Sequence, residues 1–201
     1  MSEQIFHNII YKVGGALWKD HTCGTGSLLA NTVSVRENLP KIINQYAINS
    51  ILDAPCGDYS WMSYVVFPAS LSYIGGDIVS QMIDENKEKH PSVEFIHIDI
   101  VNNELPKVDL LFTRDLLIHL SNSDIEKTIC NILKSKTKYW LVGTYDLIKN
   151  NDINTGHHRP VDLQKDPFNF PIPIYSFDDS VGNVKRSMSL WDLEGLRSNS
   201  K

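Results

Sequence analysis

Between Ile51 and Tyr145 short apolar runs alternate with helical stretches, and three of those runs end on an aspartate. "SILDA", "LSYIGGDI" and "VEFIHIDI" read as strands closing at Asp53, Asp77 and Asp99. "KVDLLFTRD" and "KYWLVGTY" read as a fourth and a fifth. Between them lie the polar, helical "SQMIDENKEKH" and the amphipathic "DIEKTICNILKS", whose Ile125, Ile129, Ile132 and Leu133 recur at helical spacing. Strands alternating with helices imply βαβ units and a largely parallel sheet with right-handed crossovers.

The flanks differ from this core. Residues 1–48 read as a helical cap, interrupted at "CGTGS" (Cys23 to Ser27) and again near Pro40, where a break or a helix start is expected. Residues 49–145 form the alternating core. Residues 146–201 read as a long, proline-rich loop followed by a terminal β-hairpin built from "PIYSFDDS" and "KRSMSLWDL". A chain of 201 residues fits one domain. No apolar run approaches the roughly 20 residues of a membrane span. "MSEQIFHNII" lacks the basic and apolar regions of a secretory signal, so a cytoplasmic protein is expected. Cys23, Cys56 and Cys130 have no metal-ligand spacing and read as reduced thiols. A net charge of −5 argues against a nucleic-acid partner.

A charge at a strand tip costs stability unless it meets a partner. Ligands of open α/β sheets bind beyond the carboxyl ends of the strands, where these acids stand. Asp77 follows Gly57 by 20 residues, the distance from a glycine turn to an acid that grips ribose hydroxyls. The turn itself, "DAPCGDYSW", has one glycine and two acids. A dinucleotide needs a glycine-rich turn for its pyrophosphate, and two carboxylates would repel it. They suit a cationic ligand without phosphate, and S-adenosylmethionine carries a sulfonium, an ammonium, a ribose and an adenine.

The succession "ILDAPCGD", "YIGGDI", "FIHIDI", "VDLLFTRDLLIHL" resembles the motifs of class I S-adenosylmethionine-dependent methyltransferases over about half the chain. The first motif departs from the family's usual run of glycines, leaving Gly57 as the main close-approach residue. The resemblance implies a Rossmann-like α/β fold, with a seven-stranded, mostly parallel sheet, helices on both faces and a C-terminal β-hairpin. It implies that Asp53 and the backbone of Ala54, Cys56 and Gly57 line the methionine part. Asp77 would hold the ribose with Ile78 against the adenine. Asp99 would accept from the adenine amino group with Ile100 on the ring, and Arg114 would lie beneath the sulfonium. The flanking "CGTGS", "GTY", "NTGHHRP" and "PFNFPIP" are similar to small methyltransferase-like proteins often encoded beside glycan-assembly enzymes.

Other candidates have two readings each. Asp99 also suits a helix N-cap. Arg36 reads as a solvated helix charge or as a bidentate partner of the cofactor's carboxylate. His119 reads as a packing residue or as a general base. His157, His158 and Arg159 read as a solvated loop or as a wall over the acceptor, with Arg159 gripping an anionic group and with His157 and His158, beside His119, as candidates for the general base. Trp18, Trp61 and Tyr145 read as core or rim, and Tyr145 also as an acceptor contact. A metal site using Asp152 and the loop histidines is disfavoured. The stretch "TRDLLIHL" lacks the motif of DNA amino-methylating enzymes. The expected reaction is methyl transfer from S-adenosylmethionine, giving S-adenosylhomocysteine, to a small-molecule or glycan oxygen. The alternatives are a non-catalytic S-adenosylmethionine-binding subunit and, disfavoured by the glycine-poor turn, a nicotinamide-dependent dehydrogenase.

Overall fold

The structure, a computed structural model, describes residues 3–14 and 23–199, so Trp18 lies outside the described residues. Helix α1 (Glu3–His7) runs into π-helix over Asn8–Gly14. Two 3₁₀ turns, Thr25–Ser27 and Leu29–Asn31, precede α2 (Val33–Gln45). The alternating core follows: β1 (Ser50–Asp53), β2 (Ser72–Asp77), α3 (Ser80–Lys89), β3 (Glu94–His97), β4 (Leu110–Thr113), α4 (Asn122–Lys134) and β5 (Tyr139–Thr144). The hairpin strands β6 (Tyr175–Asp178) and β7 (Ser187–Asp192) lead into α5 (Leu193–Asn199). The seven strands lie in the order β3-β2-β1-β4-β5-β7-β6. Strands β1 to β5 pair in parallel, and β7 runs antiparallel to both β5 and β6. This is the mostly parallel sheet with a terminal hairpin that the sequence predicts.

Both faces of the sheet are covered, and the period-2 alternation of each strand divides its side chains between two cores. Leu52, Leu111, Trp140, Val142 and Trp191 face one core, which takes Ile125 and Ile132 from α4. Ile51, Leu110, Phe112, Leu141 and Leu190 face the other, which takes Val35, Leu39, Ile42 and Ile43 from α2. The paired glycines of "YIGGDI" follow from this packing. A Cβ at Gly75 would stand 2.6 Å from the Phe95 ring, and one at Gly76 would stand 2.7 Å from Ile98.

Two expectations are corrected. Helix α2 passes through Pro40 without breaking. The four buried apolar residues on either side of the proline outweigh the roughly 3 kcal/mol that an interior proline costs. The third strand stops at His97, two residues short of Asp99. Asp99 ends the extension by folding a turn around itself. Its carbonyl accepts from the Asn102 and Asn103 N–H groups, and its carboxylate accepts from Val101 N at 2.9 Å and Asn102 Nδ2 at 2.7 Å.

The irregular segment after β5 is fixed along its length. Asn150 Nδ2 donates to the carbonyls of Asp162 at 2.8 Å and Asp166 at 2.9 Å, and Asn150 Oδ1 accepts from Asp162 N. Val161 and Leu163 are fully buried, and Phe170 meets Trp140 and Trp191 edge-on. Arg159 is buried here too, its guanidinium donating to the carbonyls of Leu117, Leu120 and Asn151 and to Asn122 Oδ1. It is a strut of the fold and does not line the cavity, which corrects its reading as a grip for an anionic substrate.

Asp53 is handled within the sheet as well. It is buried at the tip of β1, and its Oδ2 accepts from the Tyr73 hydroxyl of β2 at 2.6 Å. Burial pushes its carboxyl up to about 8, against the opposing effect of the Tyr73 hydrogen bond. The strand-tip charge is therefore largely removed by protonation at neutral pH, and Asp53 is not among the residues that line the cavity. A carboxyl raised in the folded state holds its proton where the unfolded chain has released it. Its contribution to stability is thus full below about pH 4 and is lost as pH rises to about 8. Asp53→Asn removes this dependence. Urea unfolding at pH 5 and pH 8.5 is expected to show wild type losing stability relative to the variant at the higher pH. Parallel pH dependences would contradict the assignment.

Candidate functional site

The strand order reverses between β1 and β4, and a cavity of about 600 Å³ opens beyond the carboxyl ends of the strands there. Its floor is the 55–58 turn after β1, Asp77 and Ile78 after β2, residues 114–116 after β4, and residues 145–147 after β5. Phe6, Ile9 and Ile10 cover it from the N-terminal helix, and Val181, Val184 and Lys185 close it from the β6–β7 hairpin.

At one end, Asp77 is almost fully buried. Its Oδ2 accepts from Gly57 N at 3.2 Å and its Oδ1 from Val79 N at 3.0 Å. Ile78 N is a third backbone donor to this carboxylate, and what is left of its roughly four lone-pair directions is the acceptor capacity for a ligand's hydroxyl. Burial raises the Asp77 carboxyl above its ordinary value, and these backbone N–H groups oppose that rise. Gly57 has φ +56, and a Cβ there would stand 2.8 Å from Cys23 Sγ, so the turn admits no larger residue without strain. Its carbonyl accepts from Asn86 Nδ2 at 2.7 Å, and Cys56 N donates to Gly76 O at 2.8 Å. Cys56 is buried and lines the cavity. A smaller pocket adjoins this end, sharing Phe6, Pro55, Asp77, Ile78 and Leu116, and it brings in Ala54, Asp99 and Ile100.

In the middle lies a cluster of four charges, of which Arg114, Asp179 and Arg186 are buried and Asp115 is half-buried. Arg114 donates from Nε to Asp179 Oδ2 at 3.0 Å and from Nη2 to Asp179 Oδ1 at 3.3 Å, a bidentate pair. Its Nη1 reaches Gly26 O at 2.9 Å and Asp115 Oδ2 at 3.3 Å. Arg186 donates to Asp179 O at 2.8 Å and to Asp115 Oδ1. Burial pulls the Arg186 guanidinium down, but Asp115 and Asp179 outweigh burial and hold it above its ordinary value. Two cations and two anions cancel. Asp115 sits at φ +58, a left-handed conformation that aspartate tolerates better than most residues. Trp61 is buried beneath Arg114, whose guanidinium carbon lies 5.7 Å from the indole centre.

At the far end, His119 lines the cavity on the 3₁₀ turn Leu117–His119, with its ring centre 5.5 Å from that of His158. Its Nδ1 lies 2.9 Å from His157 O. A carbonyl can only accept, so the proton sits on Nδ1 and Nε2 keeps a bare lone pair. Burial lowers the His119 imidazole below its ordinary value; His158 and Arg159 add to this, against the His157 carbonyl and Asp115. Tyr145 lines the cavity beside the central cluster, where its hydroxyl meets Arg186.

Of the residues singled out in the sequence, Cys56, Gly57, Asp77, Ile78, Arg114, His119, Tyr145 and His158 come together around the cavity, and Ala54, Asp99 and Ile100 around its annex. His157 is exposed and contributes its carbonyl, with its ring outside the wall. Arg36 is corrected as a ligand for the cofactor's carboxylate. It lies outside the wall and donates to Leu29 O at 2.9 Å and Thr32 Oγ1 at 3.3 Å, closing the turn at the start of α2. Sequence reasoning missed Asp115, Asp179 and Arg186. The doublets "DD" and "KR" on either side of the hairpin turn were the only trace of the last two.

No protein-family model matches this sequence, and neither does any curated protein. Solved structures match its fold. Magnesium protoporphyrin IX methyltransferase (ChlM) from Synechocystis PCC 6803, crystallised with bound S-adenosylhomocysteine, superposes with a TM-score of 0.65 at 11% identity, over 94% of this chain and 98% of its own. The N-methyltransferase NodS from Bradyrhizobium japonicum WM9, in complex with S-adenosylhomocysteine, gives 0.65 at 11% identity, over 92% and 98%. The methyltransferase domain of bacterial CtHen1 gives 0.58 at 9% identity, over 79% and 97%. With sheet order, hairpin and cavity in the same arrangement as the sequence motifs require, the chain has the fold of the class I S-adenosylmethionine-dependent methyltransferases.

Proposed function

We propose that this protein transfers a methyl group from S-adenosylmethionine to an oxygen of a small-molecule or glycan acceptor. One observation carries the reading. The same cavity is lined by a buried carboxylate, Asp77, and by an imidazole, His119, whose Nε2 lone pair is left bare. The residues present fit the cofactor. Asp77 has the acceptors for a vicinal diol, the Gly57 turn lets a ligand approach the backbone, and Ile78 with Phe6 offers an apolar wall for an adenine. The balanced charges of the central cluster leave no net positive charge to repel a sulfonium. The neighbours crystallised with S-adenosylhomocysteine support the same cofactor. The glycan part rests on the resemblance of the flanking segments, and the net charge of −5 supports an acceptor other than nucleic acid.

When bound, S-adenosylmethionine supplies a methyl group on a sulfonium, which is a good leaving group. The chain's main task is therefore alignment, which can be worth roughly 7–11 kcal/mol. Asp77 and the 55–58 turn fix one partner. The hairpin, Tyr145 and His158 enclose the space for the other. His119 takes the acceptor hydroxyl's proton at Nε2 as the new oxygen–carbon bond forms. Because burial keeps the imidazole neutral near pH 7, it is ready to accept.

Calorimetry with S-adenosylhomocysteine is expected to show binding to wild type, and NAD is expected not to bind. Asp77→Ala should weaken binding by about 1.5–3 kcal/mol, the scale of hydrogen bonds to a charged group. Equal affinity in the variant would refute the ribose assignment. His119→Ala should leave this affinity nearly unchanged while cutting methyl transfer, followed as methyl release from S-adenosylmethionine in cell extracts, by about 10²–10⁴-fold. In wild type the rate should fall on the acid side with an apparent pKa below 6.5, since only the neutral imidazole accepts a proton. Full turnover in a folded His119→Ala protein would remove the histidine from the mechanism.

A further inference from the structure

The turn that carries His119 is held almost entirely by one short segment of the loop after β5. Its four successive carbonyls each have a donor from residues 156–159. Leu117 O accepts from Arg159 Nη1 at 2.7 Å, and Ile118 O accepts from Arg159 N at 2.9 Å. His119 O accepts from Gly156 N at 2.8 Å, and Leu120 O accepts from Arg159 Nη2 at 2.8 Å. Within the same span the His157 carbonyl meets His119 Nδ1 at 2.9 Å. Arg159 is anchored from behind by Asn151 O at 2.9 Å and Asn122 Oδ1 at 2.9 Å.

We infer that Arg159 is a positioning residue for the reaction: it locks the 117–120 turn against the 156–159 segment, so that the His157 carbonyl holds the proton on His119 Nδ1 and Nε2 faces the cavity. The inference rests on the proposed role of His119 as base. A guanidinium is needed because its donors are spread over a rigid plane. Here they reach four separate oxygens, which a lysine's single nitrogen cannot span. A free imidazole prefers its proton on Nε2, the tautomer that has no lone pair to offer at that nitrogen. Without the clamp the ring reverts toward the unreactive tautomer even in a folded protein. The titratable and charged groups around His119 are His158 and Arg159 from the loop and Asp115 from the end of β4.

The test is nitrogen-detected NMR of the His119 ring, with calorimetry for S-adenosylhomocysteine on the same samples. In wild type the Nδ1–H tautomer is expected throughout the neutral range. In Arg159→Lys a mixture with Nε2–H is expected and the titration should move further below the ordinary histidine value, because the His157 carbonyl bond that opposes burial is weakened while the positive charge is kept, and S-adenosylhomocysteine affinity stays within about twofold. A strut with only a structural role would lower stability and leave tautomer and titration unchanged, and that result in a folded Arg159→Lys protein would overturn the inference. Should that variant fail to fold, Asn122→Ala, which removes one anchor of the guanidinium, is expected to shift the tautomer ratio in the same direction. An Nε2–H tautomer in wild type would overturn the inference without any variant. Failure of S-adenosylhomocysteine to bind wild type would overturn the methyltransferase reading beneath it, whatever the tautomer.

Discussion

The cavity takes its shape from four charges gathered at the carboxyl end of β4, three of them buried and Asp115 half-buried. Arg114 leaves the sheet there and is gripped by Asp179 from the hairpin; Asp115, turned into a left-handed conformation, is gripped by Arg186. Arg114 also holds the carbonyls of Gly26 and Asn31, so the turns before α2, the end of β4 and the hairpin meet at one point. Burying charges is costly, and a complete set is tolerated because each has a partner; losing one member of such a pair typically costs 3–5 kcal/mol. The fold thus accepts a demanding electrostatic arrangement just where three parts of the cavity wall must stay together.

The same cluster sets the chemistry on either side of it. With its charges balanced, it presents no net charge to the cavity it borders, as the proposed function requires for a cationic cofactor. That leaves Asp77 and His119 to define the two ends. Asp77 is held by the backbone N–H groups of Gly57, Ile78 and Val79 at the rim of the 55–58 turn. His119 keeps an open nitrogen because a carbonyl holds the other. In both cases backbone groups fix the side chain at the cavity wall.

The sheet was legible in the sequence because its signals are local. Apolar runs, turn residues and an amphipathic α4 each act within about a dozen residues, and β2's Asp77 stood at the strand end where the pattern put it. Misreadings arose where tertiary packing overrode a local preference. Pro40 stays helical because α2 has an apolar face to bury, and Asp99 prefers to cap its own turn. Asp53 looked like a ligand contact because nothing local reveals Tyr73 across the sheet. Arg159 was picked out as a substrate grip by its company of histidines. Its true partners are carbonyls some 40 residues earlier in the chain, invisible to any motif. Asp179 and Arg186 were missed for the same reason, since a buried ion pair between segments leaves no periodicity.

The most direct test of this account is a crystal structure of the protein grown with S-adenosylhomocysteine. The account predicts the ribose hydroxyls on the Asp77 carboxylate, the adenine against Ile78 and the sulfur turned toward the space that His119 faces. A ligand bound elsewhere, or one whose ribose avoids Asp77, would contradict it.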